Sequence, residues 1–126
     1  MILLVCAVVI GSILLLFLAT ALTGAPYVPT QRKELDEAFD VLRPLRTKDT
    51  VLDIGSGDGV VLAAAAHRGA RAIGYEINPW LVWISRWRLR TYRAQVKVEL
   101  RNFWTAQFPD EVTLVYTFGE TRDIRK

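Results

Sequence analysis

Val51-Leu-Asp-Ile-Gly-Ser-Gly-Asp-Gly59 (VLDIGSGDG) decides how this chain folds. Thr50 to Ile54 reads as a short strand buried on both faces, and it runs straight into glycines at 55, 57 and 59. A glycine loop directly after a strand lets backbone and ligand approach where any Cβ would clash. The spacing is G-x-G-x-G, which differs from the G-x-G-x-x-G of dinucleotide loops. Asp53 stands two residues before the first glycine. A carboxylate there repels a pyrophosphate and suits a ligand carrying positive charge.

Outward from the loop, Val60 to His67 reads as a helix stopped by Gly69, and Arg71 to Ile77 as the next strand. Asn78-Pro79 predicts a helix start, with Asn as N-cap and Pro at the first helical position. That helix runs through Trp80, Trp83, Ile84 and Trp87 to about Ala94. Val96 to Leu100 alternates like a strand, 103–110 is a loop, and Glu111 to Phe118 is a last strand. Strands alternating with helices predict an α/β fold: a Rossmann-like sheet of about four parallel strands with right-handed crossovers. Its ligand belongs beyond the C-terminal strand ends, near the point where strand order reverses.

The other end of the chain is different in kind. Of the 126 residues 52% are hydrophobic, and Met1 to Thr30 contains no charged residue. Ile2 to Leu22 is almost wholly apolar, long enough for a helix of about 20 residues that crosses a bilayer. A cleaved signal peptide is the rival reading, because Ala19-Thr-Ala21 resembles a cleavage site. No basic residue precedes the run, however, and it exceeds the usual apolar core of about 7–15 residues. A retained transmembrane anchor over 1–23 is expected, followed by a linker and amphipathic helix over 24–48 and the α/β domain over 49–126. Gly24-Ala-Pro-Tyr-Val-Pro-Thr30 is extended by its two prolines, Thr30 can cap a helix carrying Leu35, Ala38, Phe39 and Leu42, and Pro44 ends it. Arg32 and Lys33 are the first basic residues, so the domain is expected on the cytoplasmic side, or the matrix side of a mitochondrion.

Net charge is +3, from 16 Lys and Arg against 13 Asp and Glu, which suits an anionic membrane face without demanding nucleic acid. The single cysteine, Cys6, excludes a disulfide framework. The single histidine, His67, leaves no metal-site pattern.

Glu76 follows Asp53 by 23 residues, near the end of the next strand, where a carboxylate can accept from both ribose hydroxyls of a nucleoside. S-adenosylmethionine, with a sulfonium and an ammonium, has the sign that Asp53 requires. The plain structural alternative is that Asp53 and Glu76 cap neighbouring helices. Asp53-x-Gly55-x-Gly57-x-Gly59 with Glu76 resembles the first two motifs of class I S-adenosylmethionine-dependent methyltransferases. The Tyr27-Val-Pro-Thr30 segment, VLDIGSGDG and Gly74-Tyr-Glu-Ile-Asn-Pro-Trp80 together resemble the membrane-anchored protein-lysine methyltransferases. In mitochondria, members of that family modify the ATP synthase c-subunit and the adenine nucleotide translocase. The resemblance covers roughly residues 24–118.

It implies S-adenosylmethionine as cofactor, held by Asp53, Gly55, Ser56, Gly57, Asp58, Gly59, Glu76 and Asn78. Asn102 stands where the family commonly has an acid that bonds the adenine amino group. It implies membrane lipid and a membrane-associated protein as partners, with no nucleic acid and no metal. Tyr27, Thr30 and Glu120 are the substrate-side candidates, and the catalytic residue stays unassigned. The family sheet has about seven strands where four are legible here, which leaves two other readings open. One is an inactive or truncated cofactor-binding remnant; the other is an anchored Rossmann-like module for another nucleotide. The Trp80, Trp83 and Trp87 stripe is expected to pack on the sheet; the alternative is that it touches the bilayer surface with its neighbouring arginines.

Overall fold

A computed structural model describes residues 1–23 and 30–118, with no side-chain placement at 19–23. Helix α1, Ile2–Thr23, is a single 22-residue helix, and its side chains are exposed through Leu18. Within the residues whose side chains are described, which in α1 end at Leu18, no helix is long and apolar enough to cross a membrane. The transmembrane anchor expected over 1–23 is therefore taken up below as a proposal.

Helix α2, Arg32–Asp36, is a short α-helical turn whose N-cap is Gln31, without a side-chain cap bond; Thr30 does not take that place. It widens into a π-helix over Glu37–Leu42, marked by the Arg43 amide donating to Ala38 O, five residues back. Leu35 and Phe39 are buried, whereas the wider turn leaves Leu42, expected on the same apolar stripe, exposed.

Strands β1 (Thr50–Ile54), β2 (Arg71–Glu76), β3 (Val96–Leu100) and β4 (Leu114–Thr117) form one parallel sheet in the order β3-β2-β1-β4. Helix α3, Val60–His67, joins β1 to β2; helix α4, Pro79–Arg88, with a 3-10 turn at Arg90–Tyr92, joins β2 to β3. The chain reverses direction across the sheet between β1 and β4, so the C-terminal end of β1, with its glycine loop, lies at the switch point. Among the described residues β4 stands at an edge, and it is shorter than the expected 111–118.

The main core lies on one face of the sheet. Val51, Ala72 and Val98 of the strands meet Val61, Leu62 and Ala65 of α3, Val82 and Leu89 of the α4 crossover, and Leu35 and Phe39. The other face carries Leu52, Ile73 and Tyr75 under Phe103, Ala106 and Val112 of the β3–β4 connection. At the far end of the sheet, the Asp49 carboxylate accepts from the Arg46 amide (2.7 Å), Arg43 Nη2 (3.2 Å) and Thr113 Oγ1 (3.0 Å). The Arg46 bond first, then Arg43, holds its pKa below the ordinary carboxylate range. Because Thr113 also accepts the Thr50 amide, this carboxylate ties the start of β1 to the approach to β4.

Candidate cofactor site

β1 and β2 run side by side with Asp53 opposite Gly74, so Asp53 and Glu76 reach the same C-terminal edge. The loop between them, 55–59, turns through positive φ at Gly55 (75°), Gly57 (54°) and Gly59 (86°). That is the left-handed region, which costs a residue with a side chain about 1–2 kcal/mol. The Gly55 and Ser56 amides both donate to Tyr75 O, which pins the start of the loop to β2.

Three of the glycines have different steric reasons. A Cβ on Gly55 would meet nothing within 4 Å, so this position faces open space. A Cβ on Gly59 would lie 2.8 Å from Leu89 Cδ1 and 3.1 Å from Ser85 Cβ, so the loop touches α4 there. A Cβ on Gly74 would fall 2.6 Å from Leu62 Cδ1 and 2.7 Å from Ser56 Oγ. The last two glycines let α3, α4 and the loop close on the sheet.

Glu76, 7% exposed, clamps the loop. One oxygen accepts the Gly57 amide at 2.9 Å; the other accepts the Ile77 and Asn78 amides at 2.9 and 2.8 Å. Three backbone donors converge on one carboxylate, and each oxygen has more than one acceptor direction, so a ligand hydroxyl can still be received. The signal for this clamp is local: an acid ending a strand just before an Asn-capped helix faces the free amides of that helix start.

Asp53 is 3% exposed, and its Oδ2 has no hydrogen-bond partner among the described residues; the same holds for buried Ser56 Oγ. Burial, with the Glu76 charge second, pushes the Asp53 pKa up from 3.8 to about 8. A buried carboxyl left without a donor is unstable as an anion and favours a cationic or donor group brought to it. Tyr116, opposite Asp53 on β4, lies on the same face and packs edge-to-face on Phe39, ring centroids 5.9 Å apart. Burial first, then the Asp53 charge, raises its pKa.

The remaining sequence candidates divide. Asp58 pairs with Arg88 of α4. Asn78 caps α4, its Oδ1 accepting from the Trp80 amide at 3.0 Å. Asn102 is exposed after β3, and its Oδ1 accepts from the Trp104 amide at 3.0 Å. Thr30 is half-buried, while Tyr27 and Glu120 lie outside the described residues. Asp53, Ser56 and the glycines thus form the centre with Glu76. Asp58, Asn78 and Asn102 are engaged with their own backbone or α4.

Residues 53–125 match the family described as the ANTKMT methyltransferase domain. Among curated relatives, the human ATP synthase c-subunit lysine N-methyltransferase is 38% identical over 96 residues, covering 75% of this chain and 40% of that protein. The mouse adenine nucleotide translocase lysine N-methyltransferase is 36% identical over 89 residues, covering 68% and 38%. The chain therefore spans about 40% of the length of the human relative it matches. Among solved structures, an RNA methyltransferase from Salinibacter ruber in complex with S-adenosyl-L-homocysteine superposes with a TM-score of 0.65 at 31% identity, over 71% of this chain and 60% of that one. A SAM-dependent methyltransferase from Thiobacillus denitrificans, at TM-score 0.66 and 21% identity over 83% and 43%, shares the fold.

Proposed function

The chain belongs to the ANTKMT methyltransferase family, and on that premise we propose that it moves a methyl group from S-adenosylmethionine to a lysine nitrogen of a membrane-associated protein. The observation that carries the cofactor assignment is the buried Asp53 carboxyl, whose Oδ2 has no partner among the described residues, beside a glycine loop clamped by Glu76. Orphaned polar atoms at Asp53 and Ser56, and open space over Gly55, fit a ligand that brings a cation and donors into the loop.

When bound, S-adenosylmethionine supplies a methyl group already activated by its sulfonium. Asp53 would face the cationic amino-acid end, the 55–57 backbone would lie along the ligand, and Glu76 would take a ribose hydroxyl on a free lone pair. Asp58, Gly59, Asn78 and Asn102 would hold the loop and helix starts that shape the cradle.

Positioning carries much of such a transfer, because an in-line geometry must be held against solvent. An acceptor lysine must arrive neutral, against an ordinary pKa of about 10.4. Ile77 after β2, Trp104 after β3 and Phe118 after β4 are exposed apolar residues following the C-terminal strand ends. An apolar rim there disfavours the ammonium and lowers its pKa.

The finer placement follows the same reading. Ile2–Thr23, about 33 Å long at 1.5 Å per residue, is the membrane anchor, with Arg32 and Lys33 on the cytoplasmic or matrix side. The supports are its uncharged, almost wholly apolar sequence and the membrane-protein substrates in the relatives' names. Carbonate extraction should leave the chain in the membrane pellet; release into the supernatant would refute the anchor. Titration calorimetry with S-adenosylhomocysteine and NAD in parallel tests the cofactor. Binding of the first and not the second is expected, and the reverse would overturn the assignment. Isotopically labelled methyl groups should appear on lysine in membranes incubated with the chain.

A further inference from the structure

α4 turns the wrong residues outward for a helix that simply packs on its sheet. Trp80, Trp83 and Trp87 are 57%, 65% and 63% exposed, and Ile84 lies beside them. At 3.6 residues per turn these four occupy an arc of about 100°. Val82, Ser85 and Leu89, all buried, occupy the opposite side of the crossover. The expectation that the Trp stripe packs on the sheet is thus reversed. The side that meets the loop at Gly59 carries Ser85 and Leu89, which leaves the indoles on the far side.

The charge that this segment itself carries has one sign. Residues 79–95 hold Arg86, Arg88, Arg90 and Arg93 and no acid. Arg88 is paired with Asp58, and Arg86 donates to Val98 O at 2.7 and 3.0 Å, which leaves its charge in place. The Arg90 guanidinium sits 4.7 Å from the Trp87 ring centroid, so a cation borders the aromatic stripe. Sheet growth along β4 would not cover this face, since α4 packs over β2 and β3 at the opposite side of the sheet.

We propose that the outer face of α4 is a membrane-docking surface, with Trp80, Trp83, Ile84 and Trp87 seated in the headgroup region of an anionic bilayer and Arg90 and Arg93 facing its phosphates. Indole rings favour the membrane–water interface, and basic residues beside them add attraction to anionic lipid. A helix with an aromatic face and basic flanks lies in the interface plane. This inference rests on the membrane placement proposed above and deepens it. Trp80 opens α4 only a few residues after Glu76, so docking holds the rim of the cofactor site close to the lipid surface.

The test uses the full chain, carrying Trp104→Phe so that emission comes from α4 alone. It is reconstituted in phosphatidylcholine vesicles with or without phosphatidylglycerol, each containing lipid brominated high on the acyl chain. Emission should be at least halved by brominated lipid when phosphatidylglycerol is present, and the quenching should weaken in high salt. Arg90→Gln with Arg93→Gln should lose most of this quenching while circular dichroism stays that of the parent. Unquenched emission in both vesicles overturns the proposal. So does equal quenching with and without anionic lipid, or efficient cross-linking between copies through Trp83→Cys in place of quenching. Carbonate extraction reads α1 and quenching reads α4, so a chain that stays in the membrane with unquenched tryptophans loses the docking surface and keeps the anchor. A chain that is extracted, yet quenched by anionic vesicles, loses the anchor alone.

Discussion

Asp53 concentrates the chemistry of the site in one side chain. Its pKa, about 8 in the folded chain against 3.8, means that the folded state holds a proton the unfolded state has released between those values. Stability from this group is therefore complete below about pH 4 and lost as pH rises through about 8. Asp53→Asn should make the unliganded chain more stable than the parent at pH 8 and little different at pH 4, as read by urea unfolding in micelles. A cationic ligand needs the anion, so binding of S-adenosylmethionine should release a proton and tighten with pH up to about 8. Calorimetry in two buffers of different ionisation enthalpy measures that proton; pH-independent affinity in the parent would contradict this role. Gly55 supplies a cleaner probe of the loop. Gly55→Ala should cost about 1–2 kcal/mol of stability through its positive φ. Its Cβ meets no protein atom, so any further loss reports the ligand. Affinity for S-adenosylhomocysteine should fall by more than about tenfold, or 1.4 kcal/mol. Unchanged affinity in the folded variant would remove the loop from the cofactor site.

Elements meet at distances that glycines decide. β2 carries Gly74 where α3 sets Leu62, a side chain with no exposed surface and so little freedom to move. Gly74→Ala should destabilise the chain by about 1–3 kcal/mol, the usual cost of overpacking. The same Cβ would press on Ser56, so cofactor affinity should fall with it. Adding Leu62→Ala opens room for the new methyl. The double variant should then be less destabilised than the sum of the two single changes, which denaturation midpoints will show. Purely additive losses would mean that α3 and β2 are not in the tight contact described.

For the whole molecule, the sheet order leaves β4 with one unpaired edge among the described residues. Val115 is 42% exposed and Phe118 59%, so the edge is apolar as well as open. Apolar edges invite pairing with further strands, either of the same protein or of another copy. Val115→Lys should lower concentration-dependent light scattering of the micellar chain while leaving S-adenosylhomocysteine affinity within about twofold, because the cradle lies on β1 and β2. Equal scattering would show that this edge is already covered.

The strand β1, the helix α3 and the strand β3 were legible with their observed bounds. Local signals specify them: an apolar run ended by glycines, a helix closed by Gly69, and alternation over Val96–Leu100. The Asn78 cap and the convergence of Asp53, Glu76 and the loop on one end of the sheet were legible for the same reason, since parallel crossovers return every strand in the same direction. Helix periodicity grouped Trp80, Trp83, Ile84 and Trp87 on one face, but it could not say whether that face looks in or out. Tertiary structure decided this through the Gly59 approach, where Ser85 and Leu89 of the crossover meet the loop. It also decided that Glu76 reaches back to the Gly57 amide and that Asp53 Oδ2 has no donor among the described residues. Both depend on which amides the fold brings within about 3 Å, a distance that no pattern along the chain encodes.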